Sequence, residues 1–269
     1  MVTLKTIAEV AKMREAGKVV AEMLAATSAA AKPGVSTADL DTIARDVIAR
    51  HGAVSSFLGY YGYPATICTS INQEIVHGIP SPKRKLKDGD IIGIDAGAIV
   101  DGWHADAAVT VPVGTASPAA LALIATTEES LRRAIASAQT GARIGDIGAT
   151  VQTFAEGKGY SVVRNYVGHG IGRAMHEEPQ VPNYGLPERG LPIKPGLCLA
   201  IEPMLNAGSA DTEVLGDQWT VVTGDGSLSA HFEHTIWCGE GGPVVLTAAG
   251  DEADARIRAE LGAGKLVRA

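Results

Sequence analysis

Four residues of this chain recur at one fixed separation, and that repeat limits the folds open to it. Gly34, Asp39, Leu40 and Gly52 fall on Gly141, Asp146, Ile147 and Gly159, each 107 positions later. The order of predicted elements repeats with them. Val10, Met13, Val20 and Leu24 carry helical spacing within Thr6 to Ala31, Thr6 and Glu9 have capping-box spacing, and Lys32-Pro33-Gly34 stops the helix. A second helix runs from about Thr37 to His51, with Ser36 and Asp39 at N-cap spacing and Gly52 at the C-terminal glycine position. Short strands follow over 57–80, and Asp90 to Val113 reads as a β-hairpin turning at Asp101-Gly102. Helices over about 118–139 and 145–157 then precede strands to about 247. The repeat predicts an α+β fold of two related halves, about 6–114 and 118–248, sharing one sheet with a site at their junction. Residues 250–269 form a tail that adds a short helix or frays.

Composition removes several classes of function. The 269 residues suit one domain with a sizeable core. No apolar run approaches the roughly 20 residues of a membrane span, and Met1 to Arg14 has scattered charges unlike a signal peptide. Cys68, Cys198 and Cys238 are odd in number and far apart, which excludes a disulfide framework and a cysteine zinc site and fits a reducing cytoplasm. A net charge of −7 argues against DNA or other broad nucleic-acid binding.

The chemistry lies in carboxylates and histidines. With a two-residue turn at 101–102, Val100 faces Trp103 and Gly97 faces Asp106. Asp95 is two residues from Gly97, so Asp95 and Asp106 are diagonal neighbours on one face, close enough for one ion to bridge. The residues alone leave open that one ends a strand and the other is solvated. His169 lies between glycines in Tyr166-Val167-Gly168-His169-Gly170-Ile171-Gly172, and His176 follows seven positions later. A dinucleotide loop fails here, because its third glycine falls on Arg173. Either histidine alone is more often a hydrogen-bonded structural residue than a ligand. The strand Leu197 to Ile201 delivers Glu202, and Glu233 sits among apolar neighbours in His231-Phe232-Glu233-His234. A salt bridge would also explain Glu233. Together, four carboxylates and a histidine match two divalent cations in charge, as in a two-metal hydrolase. His77, in Ile75-Val76-His77-Gly78-Ile79-Pro80, comes from a strand end. Tyr60, Tyr63, Cys68 and Trp219 fit either an apolar pocket or core packing.

These motifs resemble the type I methionine aminopeptidases of the pita-bread fold, over about residues 4 to 248. Tyr166 to His176, with Val181 and Tyr184, follows that family's Y-x-G-H-G-I-G-x-x-x-H signature. His77-Gly78-Ile79-Pro80, His176-Glu177-Glu178-Pro179 and Ile201-Glu202-Pro203 are also family-like. The resemblance implies that Asp95 chelates one metal, Asp106 and Glu233 bridge two, and His169 and Glu202 complete the second. It implies that His77 and His176 contact substrate near the scissile peptide. Tyr60, Tyr63, Cys68, Met175 and Trp219 match positions around the methionine side chain, and Asn72, Glu74 and Ser229 match a remote monovalent-cation site. Phe57, Gly97, Ala105, Ala107 and Met175 depart from the common residues and bear on substrate breadth. Only 33 positions separate His169 from Glu202, too few for a type II insertion.

The implied activity is removal of initiator methionine from nascent proteins whose second residue is small, by a two-metal-activated water. Glu202 assists with protons, and His77 and His176 flank the bond. Two ions of Co, Mn, Fe or Zn per chain fit the oxygen-rich ligand set. The implied protein is a cytoplasmic monomer acting on nascent N-termini, with no membrane or DNA partner. The basic run Lys83-Arg84-Lys85-Leu86-Lys87 reads either as a solvated loop or as a contact to the ribosome near the exit site. An Xaa-Pro peptidase of the same fold is the rival reading, distinguished by its extra N-terminal domain. A non-catalytic binding module is the other, distinguished by lost metal ligands.

Overall fold

Local capping sets the helix boundaries. The computed structural model describes residues 2–262. Helix α1 spans Ile7–Ala30; Thr6 Oγ1 accepts from Glu9 N and Glu9 Oε2 accepts from Thr6 N. Helix α2 spans Thr37–His51 with the same reciprocal bonds between Ser36 and Asp39, and Gly52 closes it in the left-handed conformation. In the second half, α3 covers Pro118–Ser137 and α4 covers Ile144–Gly157. At α4, Asp146 accepts from Arg143 N as Asp39 does from Ser36 N, so the repeated aspartates do the same work. Gly34 and Gly141, and Gly52 and Gly159, all have positive φ, which is why glycine recurs there. Helix α5 covers Glu252–Gly262. The rest of the predicted tail, 263–269, lies outside the described residues.

The strands in the first half are β1 (Val54–Ser55), β2 (Ile67–Ile71), β3 (Glu74–Val76), β4 (Ile91–Val100) and β5 (Trp103–Pro112). The second half supplies β6 (Ser161–Val162), β7 (Gly168–Gly170), β8 (Glu177–Val181), β9 (Leu197–Ile201), β10 (Met204–Asn206), β11 (Thr212–Val214), β12 (Val221–Thr223), β13 (Ser229–His231), β14 (Glu233–Gly239) and β15 (Gly242–Val245). A nine-stranded sheet runs β1-β4-β5-β14-β9-β7-β8, with β2 also on β4 and β15 also on β14. Its pairings are antiparallel, and β5 against β14 is the seam between the halves. Two three-stranded sheets, β13-β10-β6 and β11-β12-β3, complete the β structure.

Alternation along the strands separates core from site. In β4, Ile92, Ile94, Ala96 and Ala98 are buried with Val20, Met23 and Leu40 of α1 and α2. Ala105 and Ala107 of β5 join them. Their small side chains let α1 lie close to the sheet, and this core position turns them away from the cavity. Leu199, Ile201 and Ile236 are buried with Leu123, Leu131, Ile147 and Val151 of α3 and α4. Each such side chain contributes about 1.5–3 kcal/mol on burial. Helices therefore cover one face of the sheet, and the opposite face holds the polar residues.

Candidate metal centre and substrate cavity

The hairpin places its carboxylates as its turn predicts. Asp101 and Gly102 both have positive φ, the requirement of a tight two-residue hairpin turn. Val100 faces Trp103, Gly97 faces Asp106 and Asp95 faces Ala108. Across the seam, Ala108 also faces Glu233. Two residues on, Thr235 faces Ala200, and Ala200 faces His169 on β7. Glu202 is two residues beyond Ala200. By the period of two, Asp95, Asp106, Glu233, His169 and Glu202 all leave the same face of the sheet. The structure brings together all five predicted ligands.

Their mutual geometry is tight. Ligand atoms of Asp106, His169 and Glu233 lie within 4.8 Å of one another. His169 Nε2 is 3.6 Å from Glu202 Oε1. His169 Nδ1 meets Gly170 O at 2.9 Å, so Nδ1 carries the proton and Nε2 keeps its lone pair toward the carboxylates. Asp95 Oδ1, Asp106 Oδ1 and Glu233 Oε1 are buried without a hydrogen-bond partner. Burial, reinforced by mutual repulsion, pushes Asp106, Glu202 and Glu233 well above the ordinary carboxylate range, and burial pushes Asp95 up to about 7. Burial holds His169 down to about 3. Four crowded carboxylates, a neutral imidazole lone pair and orphaned acceptor oxygens form a donor set that divalent cations satisfy.

Side chains behind the ligands fix their aim. Thr235 Oγ1 accepts from Asp106 N at 2.9 Å and donates to Asp106 O at 2.8 Å, clamping that backbone. Thr110 forms the same two-way clamp on His231. Asn183 Nδ2 donates to Glu202 O at 3.0 Å. His231 was absent from the predicted site, yet its Nε2 lies 3.9 Å from Glu202 and 4.0 Å from Glu233 and has no hydrogen-bond partner. Its place two residues before Glu233 was the available signal.

A cavity of about 260 Å³ opens onto the five ligands. Phe57, Tyr60, Tyr63, Cys68, Met175 and Trp219 form its apolar wall, so each predicted pocket residue reaches it. Phe57 was noted in the sequence only as a departure. Gly97 faces the same side. A Cβ there would lie 2.8 Å from the Phe57 ring, so the ring fills space a side chain at 97 would need. Burial keeps Tyr63 protonated and raises the Cys68 thiol.

His77 and His176 stand between the wall and the ligands. His77 has φ of 62°, a strained conformation for a non-glycine residue, and its ring meets Tyr166 edge-on at 5.7 Å. Burial lowers its pKa to about 4. Tyr60 Oη lies 2.7 Å from His176 Nδ1, and burial lowers the pKa of this imidazole too. A neutral His176 that accepts from the Tyr60 hydroxyl carries its proton on Nε2.

Away from the cavity, Ser229 N donates to Asn72 O at 2.9 Å, which joins two of the three predicted cation-site residues. The Glu74 carboxylate is already engaged by Ile71 N and Arg84. That pair also changes the basic run: Arg84 is half-buried and serves the fold, while Lys83, Lys85 and Lys87 are exposed. All three cysteines are free and buried. No helix among the described residues is long and apolar enough to cross a membrane.

Known proteins resemble this chain in sequence and in fold. The profile of metallopeptidase family M24 matches residues 11–240. The chain is 50% identical over 247 residues to a methionine aminopeptidase of Clostridium acetobutylicum, covering 92% of this chain and 99% of the relative. Identity is also 50% over 247 residues to methionine aminopeptidase 1 of Bacillus subtilis, with the same coverage. The crystal structure of a methionine aminopeptidase from Thermotoga maritima superposes with a TM-score of 0.91 at 42% identity, covering 92% of this chain and 99% of that one. A prolidase from Pyrococcus furiosus shares the fold at a TM-score of 0.72 and 20% identity, covering 92% of this chain and 66% of that one.

Proposed function

The chain belongs to metallopeptidase family M24, and from that premise we propose how it removes methionine from the N terminus of a polypeptide. The observation that carries the reading is the face of five ligands, with orphaned carboxylate oxygens, at the floor of a cavity walled by Tyr63, Cys68 and Met175. Asp95, Asp106, His169, Glu202 and Glu233 would hold two divalent cations, which would supply Lewis-acid polarisation and a nucleophile at neutral pH. An oxygen-rich set with one imidazole suits Mn²⁺, Fe²⁺ or Co²⁺ and also accepts Zn²⁺.

The protein groups then divide the work. The apolar wall takes the methionine side chain, and Met175 offers a flexible thioether surface to an unbranched one. Glu202 takes a proton from the attacking water and passes it to the leaving amine. His176 Nε2–H donates to the oxygen that gains charge, with Tyr60 holding the ring. His77 bonds near the leaving nitrogen. The two halves act as one catalytic unit of the pita-bread fold, with the site across their seam. The substrates are nascent N-termini in the cytoplasm. Exposed Lys83, Lys85 and Lys87 offer a ribosome contact near the exit site, screened by salt.

A peptide panel tests the activity. Met-Ala-Ser should be cleaved at least about 100-fold faster than Leu-Ala-Ser or Met-Lys-Ser, and Xaa-Pro peptides should resist. Comparable cleavage of Met-Lys-Ser, or preference for Xaa-Pro, would refute the specificity. Cosedimentation with ribosomes should fall with salt and with charge reversal at Lys83, Lys85 and Lys87. Binding unchanged by those reversals would remove the ribosome contact.

A further inference from the structure

The segment Gly172–His176 carries two cavity residues, Met175 and His176, and has no regular secondary structure of its own. Besides the bond from His104 N to Gly172 O at 2.8 Å, two attachments outside the cavity hold it. Arg173 stacks over the Trp103 ring at 4.2 Å, beside the hairpin turn. The second attachment is the Glu177 carboxylate. Its Oε1 accepts from Arg173 N at 2.8 Å and from Ala174 N at 3.2 Å. Its Oε2 accepts from Lys5 Nζ at 2.5 Å and from Thr3 Oγ1 at 2.7 Å. Lys5 is only 3% exposed, and its own backbone N–H is tied to Gly196 O. A Cβ at Gly172 would lie 2.5 Å from Lys5 Cε and 2.7 Å from Glu177 Oε1, so the segment closes directly on the ion pair.

We propose that Glu177 is a positioning residue for the cleavage reaction: held from the N-terminal strap by Lys5, its side-chain oxygen organises the segment that sets Met175 and His176 against the substrate. The inference rests on the proposed substrate roles of those two residues. The two oxygens of one carboxylate divide the labour. A buried ammonium orients one oxygen, and the other then organises two adjacent backbone N–H groups. Those N–H groups belong to the residues immediately before Met175. Without the acceptor they are left unpaired and the segment can rotate. A displacement of about 1 Å at His176 is enough to cost about 100-fold in rate.

Two double variants separate this role from plain stabilisation. K5M/E177Q removes the ion pair and keeps a carbonyl oxygen for Arg173 N and Ala174 N. K5M/E177L removes the pair and the acceptor, and neither variant leaves a lone buried charge. Both are assayed metal-loaded on Met-Ala-Ser and Leu-Ala-Ser, with Tm and metal calorimetry alongside. K5M/E177Q should lose no more than about threefold in kcat/KM. K5M/E177L should lose about tenfold or more through both lower kcat and higher KM, with a reduced Met-over-Leu ratio and unchanged metal stoichiometry. Should K5M/E177L fail to fold, E177D withdraws the carboxylate from the segment, keeps the charge and should show the same loss of ratio. Equal kinetics for the two doubles, or an unchanged ratio in E177D, would overturn the positioning role. Failure of the wild-type protein to cleave Met-Ala-Ser would instead strike the function proposed above.

Discussion

Asp106 is the proposed ligand whose replacement should do most damage. It stands between Asp95 and Glu233 on the sheet face, its backbone is gripped on both sides by Thr235, and its carboxylate has an orphaned oxygen. Set between Asp95 and Glu233, its carboxylate would serve both proposed cations, so Asp106→Asn should weaken binding of both and cut turnover by more than about 1,000-fold. His77 makes no contact with the ligand cluster's carboxylates in this arrangement. His77→Ala should therefore keep calorimetric metal binding and lose about 100-fold in kcat. Wild-type behaviour of Asp106→Asn, or loss of metal from His77→Ala, would contradict these roles. At this scale the ligands were legible because their types and order matched a known signature, and Asp95 and Asp106 also by spacing. His231 and the threonine clamps were not, since a buried histidine or threonine has the same local pattern whether it faces a core or a site. Ala105 and Ala107 show the converse. As sequence departures they seemed relevant to substrate breadth, and alternation turns both toward α1.

Helix ends and the hairpin were legible at the scale of elements because their determinants are local. Capping boxes span three residues, and Asp101-Gly102 fixes the register of β4 against β5. The seam of β5 with β14 was not, because alternation gives the buried face and not the neighbouring strand. The docking of α5 was equally hidden. Arg14, buried in α1, donates to Leu246 O, Ala248 O and Gly250 O, and its Nε reaches Asp254 Oδ2 at 3.1 Å. Lys18 meets the other oxygen of Asp254 at 2.9 Å. Burial opposes the ionised form of Asp254, but bonds from Lys18 and Arg14 prevail and lower its pKa. A lowered acid pKa stabilises the fold above the unfolded value of about 4, and that stability disappears as pH falls through the folded value. Asp254→Asn should therefore cost about 1 kcal/mol in urea unfolding at pH 7, with the gap to wild type closing as pH drops below about 4. A gap of constant size down to pH 2 would mean the charge is irrelevant there.

In the whole molecule, two halves with the same element order meet at one seam, and the polar face at that seam collects the five proposed ligands from both. Asp95 and Asp106 come from the first half; His169, Glu202 and Glu233 come from the second. The repeat at 107 positions made this junction legible, since related halves sharing a sheet place their common face at the join. The N-terminal strap on Glu177 was beyond reach, because Lys5 and Glu177 are 172 positions apart and each reads alone as a surface charge. Fold and family together make the molecule a metallopeptidase, and its charge pattern demands cations. The most direct test follows methionine released from Met-Ala-Ser by exhaustively chelated protein during titration with Mn²⁺, with binding stoichiometry measured on the same sample. Stripped protein should release no methionine, titration should restore release, and binding should saturate at two ions per chain. Full activity in the chelated protein, or metal binding that leaves methionine release unchanged, would contradict it.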